Sequence, residues 1–324
     1  MARTRLYRNG VLERTDLPVA DISEVVDEPG VVVWLDLCTA DGEGLDAIEE
    51  EFGLHALAVE DAQHERQRPK LDHYSSHLFL SAYAVRLDPE TNELASSEIA
   101  MFVAPNALIT VRKDRKFDID DVVSRWDNTP ELAKEGAGFL LYGVLDYIVD
   151  GHFTAVQNLD EKIDALEDEL FDDSRDHIRD VQRKSFALRK NLLLLRRYVL
   201  PMREVVNGLM RRDLKVVSEP LMPYYQDVYD HVLRATEWTE SLRDMVSTIL
   251  ETNLTIQGNR MNLIMKKVTS WAAIIAVPTA VTGFYGQNLP YPGFNSEWGF
   301  ALSSALIVVG GALLYWVFRR KDWL

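Results

Sequence analysis

The stretch GFYGQNLPYPG, residues 283–293, gathers three glycines, two prolines, Gln287 and Asn288 between two long uncharged runs. These residues supply neutral dipoles rather than acids, bases or nucleophiles. They offer carboxamide oxygens, and carbonyls that a glycine backbone leaves uncovered. Residues 158–180, NLDEKIDALEDELFDDSRDHIRD, carry the opposite chemistry. Residues 160–180 hold ten Asp or Glu against three Lys or Arg, and Leu159, Ile163, Leu166 and Leu170 recur on one helical face. That pattern fits the solvated side of an amphipathic hairpin, and it also fits a surface that collects cations. It is not an EF-hand, because the D-x-D-x-D-G-x5-E order is missing.

Other candidate chemistry is weaker. DGEGLDA, residues 41–47, has Gly42 and Gly44 in a loose G-x-G-x-x-A after a strand. Asp41, Glu43 and Asp46 would face a pyrophosphate there with no basic residue to offset them, so nucleotide binding is rejected. No Walker motif is present, which removes the usual signature of ATP-driven transport. His55, His64, His73 and His77 fall on different elements without ligand spacing. The single cysteine, Cys38, reads as a small buried strand residue. No nucleophile, base or phosphate loop stands in a credible arrangement, so the chain does not read as an enzyme.

The elements that must position the neutral loop are apolar. GFALSSALIVVGGALLYWVF, residues 299–318, has 20 residues and no charge, and VTSWAAIIAVPTAVTGFYG, residues 268–286, is also uncharged. At about 1.5 Å per residue either run can cross a hydrocarbon core of roughly 30 Å. Twelve residues separate them, which predicts a transmembrane hairpin. Lys266 and Lys267 precede the first run, and Arg319, Arg320 and Lys321 follow the second, whereas the loop carries only Glu297. The positive-inside rule then puts both termini in the cytoplasm and the loop outside. Along the first run and the turns before it, Asn262, Met265, Thr269, Ala272, Ala276, Thr279 and Gly283 share one helical face. Small and weakly polar residues there suit close helix packing, and equally a narrow pore that several copies would surround.

Upstream, no proline interrupts the chain between Pro223 and Pro278. Apolar or small residues recur at Val228, Val232, Ala235, Trp238, Leu242, Met245, Ile249 and Ile256. This predicts a stalk helix of about 80 Å that enters the first span without a break. Residues 137–212 read as a further helical region punctuated by Pro201. Strands are expected at 31–37, 77–85, 97–105 and 107–113, with helices at 44–54 and 117–126. The fold class is therefore an α+β membrane protein: an N-terminal α/β cytoplasmic domain, a long helical stalk and a C-terminal two-helix hairpin. The expected division is 1–135, the α/β domain; 136–221, the acidic helical region; 222–267, the stalk; and 268–324, the hairpin with its basic tail. With 35 Lys and Arg against 51 Asp and Glu the net charge is −16, which argues against nucleic acid and suits cations. The N-terminus lacks the apolar region of a signal peptide.

Taken together, several stretches resemble the CorA family of divalent-cation channels. GFYGQN is similar to the family's YGMN signature, and NRMNLIMKKVT (259–269), FRRKDWL (318–324), HALAVEDAQHERQRPKLDHY (55–74), LPMREVV (200–206) and YYQDVYDH (224–231) match in order. The resemblance implies a homopentamer in the inner membrane that takes up Mg²⁺ passively, driven by the membrane potential. It implies a pore lined by Asn262, Met265, Val268, Thr269, Ala272, Ala276 and Thr279. Gly286, Gln287 and Asn288 would form the selectivity filter. Mg²⁺ dehydrates reluctantly, so a ring of carboxamide and backbone oxygens suits the hydrated ion. Asp61, in VEDAQ, and Asp227, in YYQDVYDH, match the family's regulatory aspartates on neighbouring subunits, with Glu60 adjacent. Mg²⁺ between them would offset their repulsion and close the pore, which makes it both substrate and regulatory ligand. The sequence departs from the family at Gln287, where methionine is usual. Two alternatives therefore remain: a Zn²⁺, Co²⁺ or Ni²⁺ transporter of the same fold, and a non-conducting membrane-anchored sensor that uses Asp61 and Asp227 but not Asn288. Neither span holds an ionisable residue, which disfavours an intramembrane proton relay.

Overall fold

The computed structural model describes residues 2–39, 45–64, 67–170, 177–287, 290, 293–294 and 296–324. The strands are β1 (Arg3–Arg8), β2 (Val11–Thr15), β3 (Val31–Cys38), β4 (Lys70–His73), β5 (Leu78–Leu87), β6 (Leu94–Ala104) and β7 (Ala107–Arg112). The helices are α1 (Ile22–Val26), α2 (Asp46–Phe52), α3 (Ala56–Gln63), α4 (Ile119–Asp127), α5 (Pro130–Ala133), α6 (Ala137–Leu170), α7 (His177–Leu209), α8 (Met222–Tyr285) and α9 (Glu297–Arg320). The chain divides into two compact units, Met1–Ile249 and Leu250–Leu324, and α8 contributes to both.

The first unit is built on one seven-stranded sheet in the order β2-β1-β3-β7-β6-β5-β4. Among the described strands β3 and β7 run parallel, and every other pair is antiparallel. Alternation along the strands gives the sheet two apolar faces. Leu78, Leu80 and Ala82 of β5 join Trp34, Met101 and Leu108 in a core shared with α4, α6, α7 and the start of α8. Phe79, Phe102, Ile109 and Val111 face the other way and pack on Ile48 of α2 and on Ala58, Val59 and Ala62 of α3. The result is a layer of helices on each side of the sheet. At the parallel junction Asp36 of β3 is buried and accepts from Arg112 (2.5–3.1 Å) and Thr110 (2.7 Å). Burial raises the Asp36 pKa above the ordinary carboxylate value in spite of Arg112.

Several elements were not anticipated. β1 and β2 form a hairpin across Asn9-Gly10, both at positive φ (51° and 82°), as a type I′ turn requires. β4 is a short edge strand, and α3 is capped by His55, whose Nδ1 accepts from the Leu57 amide at 3.2 Å. The helical region consists of two long helices, and Pro201 lies inside α7. Pro278 lies inside α8, which extends to Tyr285.

Three of the described helices are long and apolar enough to cross a membrane: α6, the segment containing α8, and α9. Their apolar windows are 61%, 6% and 0% buried respectively. α6 is thus a core helix of the first unit, with Leu159, Ile163, Leu166 and Leu170 all buried as the spacing predicts. The apolar windows of α8 and α9 are left mostly open by this chain and need lipid or other copies.

Candidate functional site

In the second unit, α8 has two unlike faces. Asn262, Met265, Thr269, Ala272, Ala276, Thr279 and Gly283 are all exposed, as is Val268. On the other side Ser270 is buried, and Ala273, Ile274, Val277, Val281 and Tyr285 are half-buried. That second side meets α9: a Cβ added at Gly310 would lie 3.0 Å from Val277 Cγ1. The small residue lets the two helices approach. The predicted pore stripe therefore lies within the part of α8 that its own hairpin partner leaves open, beside exposed Trp271 and Ile275.

Three hydroxyls of this segment bond back to the helix. Ser270 donates to Lys266 O (2.7 Å), Thr279 to Ile275 O (3.0 Å) and Thr282 to Pro278 O (2.8 Å). At the end of α8 the Gly286 amide bonds Thr282 O at 2.8 Å, and the Gln287 amide bonds Phe284 O at 3.3 Å. A Cβ at Gly286 would lie 2.9 Å from Thr282 O, so this turn favours bare backbone. The carbonyl end of a helix carries partial negative charge and attracts cations. Gly286 and Gln287 are both exposed. Asn288 lies outside the described residues, as do Gly42, Gly44 and residues 171–176 of the acidic run.

The carboxylates belong to the first unit. Asp61 stands in the last turn of α3, and Lys70 Nζ donates to it at 2.6 Å. The same ammonium lies 2.8 Å from Asp72 and 5.4 Å from the centre of the Phe79 ring. Burial disfavours the Lys70 charge, but Asp61 and Asp72 outweigh it and hold its pKa above the ordinary lysine value. This lysine escaped the sequence reading. The signal was a basic residue just after Pro69 in QRPKLDH, and pairing it with Asp61 needed the position of the edge strand. Glu60 and Asp227 are exposed and form no ion pair or side-chain hydrogen bond among the described residues. Two exposed apolar groups, Leu57 and Tyr224, accompany them on α3 and α8. Asp227 acts electrostatically on the Tyr142 phenol, whose pKa rises through burial first and then through Asp146, Asp227 and Asp150.

The histidines do not assemble a site. Tyr74 separates His55 from His77 in a stack with centroid distances of 4.6 and 5.1 Å. No group of three or more His, Cys, Asp or Glu is placed to hold a metal within this chain, among the described residues. Cys38 is buried, as expected of a strand residue.

A three-layer α/β unit, one long helix and a two-helix apolar hairpin define an α+β membrane protein, with a stripe of small and weakly polar groups exposed on its first span. The family described as CorA-like Mg²⁺ transporter protein matches residues 29–320. The cobalt/magnesium transport protein CorA of Thermotoga maritima is 31% identical over 86% of this chain and 79% of its own length. The zinc transport protein ZntB of Yersinia pseudotuberculosis (serotype O:1b) is 24% identical over 80% of this chain and 78% of its own. Among solved structures, the complete CorA magnesium transporter of Methanocaldococcus jannaschii aligns with a TM-score of 0.79 at 23% identity, covering 100% of this chain and 99% of the other. The chain belongs to the CorA family, whose members transport divalent cations and are not enzymes.

Proposed function

We propose that the protein is a homopentameric channel for passive Mg²⁺ uptake across the inner membrane, with both termini in the cytoplasm. The observation that carries this reading is the open face of α8, where seven small or uncharged residues from Asn262 to Gly283 are exposed while the opposite face meets α9. Two spans cannot enclose a pore, so this face calls for further copies of itself. Five-fold repetition would turn Met265 and Val268 into apolar rings able to gate by dewetting, and Asn262, Thr269, Ala272, Ala276 and Thr279 into a neutral wall. Gly286, Gln287 and Asn288 then receive the hydrated ion at the carbonyl end of α8. Their neutral dipoles attract it without trapping it. Influx gains roughly 4.6 kcal/mol per 100 mV for two charges, so no fuel is needed.

Regulation in this reading uses Asp61 and Glu60 of one copy and Asp227 of its neighbour. Glu60 and Asp227 form no ion pair among the described residues and stand with exposed Leu57 and Tyr224, which supports faces that another copy covers. Mg²⁺ bound there fastens the ring shut when the cytoplasmic concentration is high.

A second reading, transport of Zn²⁺, Co²⁺ or Ni²⁺, is favoured by Gln287 and by the zinc- and cobalt-transporting relatives. The test is ion flux into liposomes containing the purified protein under an inside-negative potential, with Asn288→Ala as control. Mg²⁺ flux that falls at least tenfold in the variant supports the channel. Zn²⁺ flux without Mg²⁺ flux supports the second reading. No flux of any of the four ions at low internal Mg²⁺ leaves a membrane-anchored sensor.

A further inference from the structure

We propose that Lys70 is a tethered cation that competes with the divalent ion for Asp61, and that Asp72 receives the lysine when the ion binds. This rests on the reading of Asp61 as a regulatory ligand. Lys70 Nζ is shared between two carboxylates, at 2.6 Å from Asp61 and 2.8 Å from Asp72. Lys70 and Asp72 are two apart on β4 and so project from one face of the strand. The stem is half-buried, and the ammonium lies over the Phe79 ring, which restricts where the charge can go. It can leave Asp61 and remain paired, because Asp72 is already in contact. By contrast Asp227, the other carboxylate of the proposed site, has no such cation among the described residues.

The consequence is a threshold. Asp61, Lys70 and Asp72 together carry one net negative charge, so an arriving ion meets a carboxylate that is already compensated. A monovalent ion gains little by replacing an ammonium of equal charge and better hydrogen-bonding geometry. A divalent ion brings a second charge and can replace it. The built-in lysine would therefore hold Asp61 silent toward K⁺ while leaving it responsive to Mg²⁺, and would place the response at a higher Mg²⁺ concentration than bare carboxylates give.

The experiment titrates the full-length protein in detergent with Mg²⁺ and reads the concentration that gives half of the Mg²⁺-dependent rise in thermal midpoint. Lys70→Met keeps the apolar stem over Phe79 and removes the charge; it should lower that concentration roughly fivefold. Asp72→Asn deprives the lysine of its second partner and should raise it. At constant ionic strength, replacing choline by K⁺ should leave the wild-type value in place and raise that of Lys70→Met. Lys190→Gln, on α7, is the matched charge control and should change nothing. If Asp61→Asn abolishes the Mg²⁺ response while Lys70→Met leaves its midpoint unmoved, competition by Lys70 is wrong and the regulatory aspartate stands. If Asp61→Asn leaves the response intact, the regulatory reading itself fails, and the inference with it. Should Lys70→Met fold poorly, Asp72→Asn and Lys70→Arg serve: the arginine variant retains the charge and should keep the wild-type insensitivity to K⁺.

Discussion

The two units solve the problem of apolar surface in opposite ways. In the first, the large side chains find each other: Trp34 and Trp126 meet edge to face at 5.0 Å, and Leu141, Val144 and Ile148 of α6 are fully buried under the sheet. In the second, Trp271, Ile275, Val308 and Val309 are exposed, and no residue in the apolar window of α9 is fully buried by the chain. Two helices that are both long and apolar enough to cross a membrane, α6 and α9, therefore have different meanings. One is a core helix because a sheet lies beneath it. The other is complete only in lipid or against further copies. Hydrophobicity tells that a helix must be covered, and the neighbours tell by what.

Substitutions can break this contrast. The largest effect is expected at Arg112→Met, which leaves the buried Asp36 without its charge partner and should cost the first unit about 4 kcal/mol. Denaturant unfolding of the full chain in detergent, followed by tryptophan fluorescence, measures it. Next comes pH. His152 is buried on α6, with Nε2 2.6 Å from Tyr83 O, and burial lowers its pKa from 6.5 to about 4. A depressed histidine pKa means that the unfolded chain binds the proton first. Stability is thus fully present above pH 6.5 and is lost as pH falls toward 4, by roughly 3 kcal/mol over that window. His152→Phe should flatten this slope in a pH series of thermal midpoints; an unchanged slope removes His152 as its source. The smallest effect sharpens the contrast with a pair of glycines. A Cβ at Gly143 would lie 2.2 Å from Trp126 Nε1, so Gly143→Ala should cost about 2 kcal/mol. Gly311 has nothing within 4 Å, and Gly311→Ala should stay within about 0.5 kcal/mol of the parent. Equal costs for the two would show that α9 is packed as tightly as α6.

Much of the fold is legible wherever pattern and length agree. The strand expectations at 31–37, 77–85, 97–105 and 107–113 correspond to β3, β5, β6 and β7, because long apolar runs with turn residues between them leave little else. β1 and β2 lacked such a run, since β2 is wholly exposed, yet Asn9-Gly10 between them was a usable hairpin signal. β4 has four residues and no alternation to read. The open stripe of α8 is visible from periodicity alone, but which side α9 takes depends on the contact of Val277 with Gly310. The Asp61–Lys70 pair was hidden for a different reason. The two residues are nine apart with a change from helix to strand between them, and spacing says nothing about contacts across such a turn.

Pro278 gives α8 a mechanical character. A proline inside a helix has no amide hydrogen to donate to the carbonyl four residues earlier, here that of Ile274, so one rung of the ladder is missing. A rod with a missing rung bends there before it bends elsewhere. The joint falls seven residues before the helix ends at Tyr285, between Ala276 and Thr279 of the open stripe. The stripe is thereby divided into a longer part before the joint and a short part after it. Bending strain on α8 would therefore collect at this joint, ahead of the segment that carries Thr279 and Gly283.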